Sequence, residues 1–163
     1  QLDQTANSNA LFAIAILAGN SGGTTAGGRP EVAPSRVTIT PSASVRCGAT
    51  YQGIFSENAT DVNISAAKII AAGSATGGTT WDSGSTGAGL FINGQYCVSS
   101  TTLISGFKYG IKSLNTRSPI VTRGQVRATI SNCYVGILNP RSGAVDSGHA
   151  VLTDCVVPLG EPS

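Results

Sequence analysis

Charge is the first thing this chain lacks. Acidic and basic residues make up only 11% of its 163 positions, against about 25% in an ordinary soluble domain. Ten Lys and Arg against eight Asp and Glu leave a formal charge of +2. There is no basic run and no interleaving of basic with aromatic residues, which argues against both a nucleic-acid binder and a polybasic membrane patch. Long apolar runs are also missing. The longest, "ALFAIAILAG" at 10–19, falls short of the roughly 20 residues a spanning helix needs and has no basic flank like that of a signal peptide. Membrane insertion is therefore not expected. Met is absent and the chain starts at Gln1, so position 1 reads as a processing site, an expression boundary or the edge of an ordered part. Only four cysteines occur, Cys47, Cys97, Cys133 and Cys155. None forms a short-spaced ligand pair and only His149 could join them, so no metal site and no cofactor are expected. Four buried free thiols are favoured over two bridges.

Gly, Ala, Ser and Thr fill the space that charge leaves. The surface must then be largely hydroxyl, amide and backbone, which suits an assembly or an extracellular setting better than a cytosolic enzyme. Periodicity is that of strands throughout. "RVTIT" (36–40), "DVNIS" (61–65), "TTLIS" (101–105), "RATIS" (127–131) and "AVLT" (150–153) alternate apolar and polar residues between Gly, Asn, Pro and Ser punctuation.

These strands belong to a repeat. "TLISGFKYGI" (102–111), "TISNCYVGI" (129–137) and "VLTDCVVPL" (151–159) share one outline. It runs aliphatic, Ser or Thr, small or polar, Phe or Cys, any residue, aliphatic or Tyr, Gly or Pro, aliphatic. A Gly-aliphatic marker falls at Gly53-Ile54, Gly89-Leu90, Gly110-Ile111 and Gly136-Ile137, with Pro158-Leu159 last, at intervals of 36, 21, 26 and 22 residues. An aliphatic-Ser/Thr marker falls at Ile39, Ile64, Ile104, Ile130 and Leu152, at intervals of 25, 40, 26 and 22. A period of this length built from strands and turns has one natural solution: each repeat wraps once as a coil of short strands, and coils stack at about 4.8 Å. Inward ladders are expected at Ile39/Ile64/Ile104/Ile130/Leu152 and at Phe107/Cys133/Cys155, with the small residues at 110 and 136 permitting a tight corner.

The fold expected is all-β, a right-handed parallel β-helix of about five coils over 36–163, with a loop extruded at 71–89. Residues 1–35 form an N-terminal segment ending in a Gly/Pro-rich linker. Phe12, Ile14 and Ile16 alternate with alanines as in a strand buried on one face. That strand either caps the apolar end of the solenoid or exchanges with a neighbouring subunit; the general need to cover a solenoid end favours the cap.

The template I-S-x-C-x-x-G-I, carried by "VNISAAKI", "TLISGFKYGI", "TISNCYVGI" and "VLTDCVVPL", resembles the coil repeat of right-handed parallel β-helix proteins of the pectin-lyase-like group. That group spans polysaccharide lyases and hydrolases, surface adhesins and bacteriophage tailspikes and tail fibres. The resemblance, with the low charge, implies a virion or extracellular component most like a tailspike or tail-fibre domain, a homotrimer, and a cell-surface polysaccharide as possible ligand. The "GDGVTDDT" entry segment of many tailspikes is absent. The alternatives are a virion-shell decoration or filament subunit held by its N-terminal strand, and a carbohydrate-active hydrolase or lyase.

An enzyme would need carboxylates. Glu57 and Asp61 share the turn "SENATD", and Asp154 precedes a ladder cysteine and should point outward. Turn chemistry is the favoured explanation of Glu57 and Asp61, whose side chains can bond nearby backbone. Glycosidic cleavage also requires two carboxyls about 5–9.5 Å apart, so the reading leans to a non-enzyme. Trp81 with Asp82, in the extruded loop, is a candidate ligand or interface contact. Lys108, Lys112, Arg117, Arg123 and Arg127 concentrate positive charge on one part of the stack, as a solvated face or a polar seam between subunits.

Overall fold

A computed structural model describes residues 2–3, 14–17, 37–48, 52–56, 61–66, 68–71, 86–92, 94–113, 122–140 and 143–161. Each stretch of alternating apolar and polar residues forms a short strand, and every pairing between strands is parallel. Two strands come first, β1 (Leu2–Asp3) and β2 (Ile14–Leu17). Five coils follow. The first holds β3 (Val37–Ile39), β4 (Ser44–Cys47) and β5 (Gln52–Ser56), and the second β6 (Val62–Ile64), β7 (Lys68–Ala71) and β8 (Ala88–Ile92). The third holds β9 (Gln95–Val98), β10 (Leu103–Ser105) and β11 (Tyr109–Ser113). The fourth holds β12 (Thr122–Val126), β13 (Thr129–Ser131) and β14 (Val135–Leu138), and the fifth β15 (Gly143–Asp146), β16 (Val151–Thr153) and β17 (Val157–Gly160).

Three stacked sheets result. The first runs β1-β4-β7-β10-β13-β16, the second β2-β5-β8-β11-β14-β17, and the third β3-β6-β9-β12-β15. The chain is a parallel β-helix of five coils, right-handed as parallel crossovers are. The segment before residue 36 contributes β1, paired with β4, and β2, in which Ile14 faces Gln52 and Ile16 faces Ile54. Phe12 lies outside the described residues.

Parallel in-register stacking puts like residues above like, and burial of these ladders is what holds the coils together. On the second sheet Ile54, Leu90, Ile111 and Ile137 form one fully buried column, which continues to the more exposed Leu159. Each such side chain contributes about 1.5–3 kcal/mol by leaving water. The Gly-aliphatic marker is thus the true register of all five coils.

The other marker changes sheet. Ile104, Ile130 and Leu152 stack on the first sheet, but the earlier members of that column are Val45 and Ile69. Ile39 and Ile64 belong to the third sheet, where they stack beneath Val98. Ile39-Thr40 and Ile64-Ser65 carry the same aliphatic-then-hydroxyl pattern as Ile104-Ser105, Ile130-Ser131 and Leu152-Thr153, so pattern alone does not distinguish the two columns. The corner column Phe107/Cys133/Cys155 forms as expected, with Phe107 and Cys133 buried and Cys155 partly so.

The glycine column needs a different explanation from a tight corner. Gly53, Gly89, Gly110 and Gly136 lie within strands of the second sheet and have no left-handed backbone. A Cβ on Gly110 would lie 2.4 Å from Ile130 Cγ2 and 2.6 Å from the Gly136 carbonyl oxygen. The missing side chains make room for the isoleucine column of the first sheet. The corner itself is turned by Gly106, Asn132 and Asp154, with φ of 84°, 53° and 52°. All three are residue types that accept the left-handed region.

Candidate interaction face

Two outward surfaces carry most of the described side-chain chemistry. On the second sheet, Phe55, Phe91, Lys112 and Leu138 follow one another in register, one residue after each member of the inward column. The strand spacing places the Phe55 and Phe91 rings face to face, with centroids 5.1 Å apart and planes within 13°. Lys112 continues the stack, its Nζ 5.3 Å from the Phe91 centroid and 5.0 Å from that of Tyr109. Lys108 Nζ lies 5.5 Å from the Tyr109 ring. Such pairs contribute about 0.5–1.5 kcal/mol for ring stacking and about 0.5–1 kcal/mol for an exposed cation over a ring. The Phe91 faces are consumed within the strip, one by Phe55 and the other by Lys112. Outward it offers ring edges and ammonium groups, a surface suited to a protein partner rather than to stacking of a sugar ring on a free aromatic face.

The third sheet presents a polar surface. Its outward residues Asn63, Cys97, Gln125 and Asp146 stack in register, with Gln95 beside Arg123 in the parallel row. An open groove of about 270 Å³ runs there, lined by Asp61, Gln95, Tyr96, Cys97, Arg123, Gly124 and Gln125. Gly124 makes room for its neighbour: a Cβ there would lie 2.3 Å from Tyr96 Cζ. The Tyr96 ring therefore fills the interior and donates its hydroxyl proton to Ser113 Oγ at 3.2 Å. Burial pushes the Tyr96 phenol from its ordinary value up to about 12, against a smaller opposing effect of that hydrogen bond. Amides, a guanidinium and a carboxylate thus line a shallow trough, able to donate and accept hydrogen bonds.

The expected site residues distribute as follows. Asp61 is exposed just before β6 and accepts a hydrogen bond from Asn63 Nδ2 at 3.0 Å. Asp154 is exposed at the left-handed corner between β16 and β17. The two lie on different parts of the coil and three coils apart, about 14 Å along the stack, beyond the spacing that glycosidic cleavage uses. Glu57, Trp81 and Asp82 lie outside the described residues, as does Arg117. The positive charge does share coils three and four, but Lys108 and Lys112 lie on the second-sheet side and Arg123 on the third sheet, with Arg127 just after it. His149 is exposed in the turn before β16, where Gly148 N donates to Asp146 Oδ1 at 3.1 Å. Among the described residues, no three potential metal ligands gather. All four cysteines are free, with Cys47 and Cys133 buried and Cys97 and Cys155 partly exposed.

No protein-family model, no curated protein and no solved structure matches the chain.

Sequence reading missed Phe55, Phe91, Gln95 and Gln125 as surface residues. The signal was present: the position after each Gly-aliphatic pair reads Phe, Phe, Lys, Leu in coils one to four, and stacking makes that a continuous strip.

Proposed function

We propose that this β-helix is a non-enzymatic structural and recognition component of a virion or another extracellular surface, most like a tailspike or tail-fibre domain, with a hydroxyl-rich polysaccharide as ligand. The observation that carries the reading is the groove on the third sheet, where Gln95, Arg123, Gln125 and Asp61 converge over a rigid stack. Its chemistry is that of hydrogen bonding, and a neighbouring carboxylate at catalytic spacing is missing among the described residues. Low surface charge and the likeness of the coil template to tailspike repeats support the same setting. The aromatic and cationic strip on the second sheet suits a seam between copies, in keeping with a trimer.

Two measurements test it. Binding to a panel of bacterial surface polysaccharides should weaken about tenfold or more in Arg123→Ala and Gln125→Ala, a loss of about 1.4 kcal/mol, with no oligosaccharide released by the parent protein. Release of oligosaccharide would instead favour the hydrolase or lyase reading. Sedimentation of the whole chain and of a form lacking residues 1–20 separates the remaining pair. A trimer that survives the deletion supports the tail-fibre reading, and dissociation on deletion supports an assembly held by exchange of the N-terminal strand.

A further inference from the structure

The corner column ends in two thiols. Ser131 faces Thr153 and Val135 faces Val157, so the three-residue corners 132–134 and 154–156 stack directly on each other. Asn132 N donates to Thr153 O at 3.2 Å and Val156 N to Cys133 O at 3.3 Å, which locks that alignment. Cys133 and Cys155 therefore occupy equivalent places on adjacent coils. Their α-carbons are separated by about one strand spacing, inside the 4.4–6.8 Å range that disulfides span. Both sulfurs point to the same side, toward the glycine column: a Cβ on Gly110 would meet Cys133 Sγ at 3.5 Å and one on Gly136 would meet Cys155 Sγ at 3.4 Å.

The two thiols differ in surroundings. Cys133 is 1% exposed, and its Sγ donates to Ser131 O at 3.3 Å. Cys155 is partly exposed, between the exposed Asp154 and Val156, and its Sγ donates to Thr153 O at 3.5 Å or Ile130 O at 3.8 Å. Interaction between the two neighbouring thiols lowers the pKa of Cys155 and, together with burial, raises that of Cys133. Among the described residues, β15, β16 and β17 stand at one end of their sheets.

We propose that Cys155 and Cys133 form a peroxide-responsive pair, in which Cys155 is the attacking thiol and Cys133 the resolving one. In the first step the Cys155 thiolate attacks a hydroperoxide oxygen, the O–O bond breaks, and a sulfenic acid forms with release of hydroxide or alkoxide. In the second, the Cys133 sulfur attacks the sulfenic sulfur, the S–O bond breaks, and its proton leaves with the oxygen as water. The sulfurs lose two electrons in all and the hydroperoxide gains them. The product ties the fourth coil to the fifth.

The test is titration of the native chain with hydrogen peroxide, followed by intact mass measurement, thiol counting and peptide mapping without reduction. The parent should lose the mass of two hydrogens and two free thiols, with one link between Cys133 and Cys155 in the monomeric chain. Cys133→Ser should stop at a sulfenic acid that dimedone captures at Cys155, and Cys155→Ser should form no link. Oxidation at Cys155 should precede that at Cys97. Oxidised parent should melt several degrees higher and return to its starting Tm with dithiothreitol. Should either serine form fail to fold, mapping of the parent alone decides. Modification of Cys97 first, a link between chains, or over-oxidation of Cys155 with Cys133 still free each overturns the proposal.

Discussion

Gly110 occupies a place where a methyl group cannot go without moving its surroundings. One obstacle is the far end of the Ile130 side chain, but the other is the Gly136 carbonyl oxygen of the next coil, and backbone held in a parallel ladder cannot swing aside. Gly110→Ala should destabilise by about 1–3 kcal/mol, toward the upper end of what overpacking costs. Gly148→Ala, whose Cβ would meet only Asp146 Oδ1 at 3.4 Å, should stay within about 0.5 kcal/mol. Urea unfolding of both variants, with an unchanged denaturant slope, checks the pair. The residue scale also shows what the sequence could convey. Glycine at 53, 89, 110 and 136 was legible as a ladder, but its cause was not. A tight corner and a close approach of two coils both call for glycine, and only the position of the Ile130 methyl separates them.

At the scale of elements, the corner between the first and second sheets is the repeated part most dependent on single residues. It takes three residues in each of the last three coils, led by Gly106, Asn132 and Asp154 in the left-handed region. Asn132→Ala should cost about 1 kcal/mol, because a Cβ without a local hydrogen-bonding group is disfavoured there, whereas Asn132→Gly should be nearly neutral. Thermal unfolding of the two variants tests this, and equal losses would mean that the Asn side chain, and not the backbone, matters. The third place of the repeat template, "small or polar", already held this corner, since Gly, Asn and Asp are the residues that share the left-handed region. The strand assignments of coils one and two were less legible. An aliphatic residue followed by Ser or Thr describes strands of the first and third sheets alike, so Ile39 and Ile64 were set in the wrong column.

For the whole molecule, the decisive feature is an interior that is apolar yet contains ionisable groups. Burial raises the Cys47 thiol from 9.0 to about 12 and the Tyr96 phenol from 10.0 to about 12. In both, the folded state keeps its proton at a pH where the unfolded chain releases it. Their contribution is therefore complete below about pH 9 and is lost as pH rises toward 12. Each proton steepens the loss by at most about 1.4 kcal/mol per pH unit. Chemical unfolding between pH 8 and 11 should show stability falling above pH 9, and Cys47→Ala should remove about one proton's share of that slope while leaving the curve below pH 9 parallel to the parent's. An unchanged alkaline slope would place the cause elsewhere.

The sequence by itself determined that the chain is a stack of β coils, the period of that stack, the register marked at Ile54, Leu90, Ile111 and Ile137, and the corner column that ends in Cys133 and Cys155. These follow from local rules, because alternation and a glycine-marked repeat bind each coil to the same cross-section. Only the tertiary structure decided which surfaces those coils build: the stacked Phe55 and Phe91 under Lys112, the groove beneath Arg123, and the contact between one buried and one accessible thiol. Residues that meet in such surfaces lie on different coils, from 21 to 36 positions apart between adjacent coils in these examples. Insertions of unequal length between strands leave the spacing free to vary, and the register that joins distant positions is set by packing across the stack.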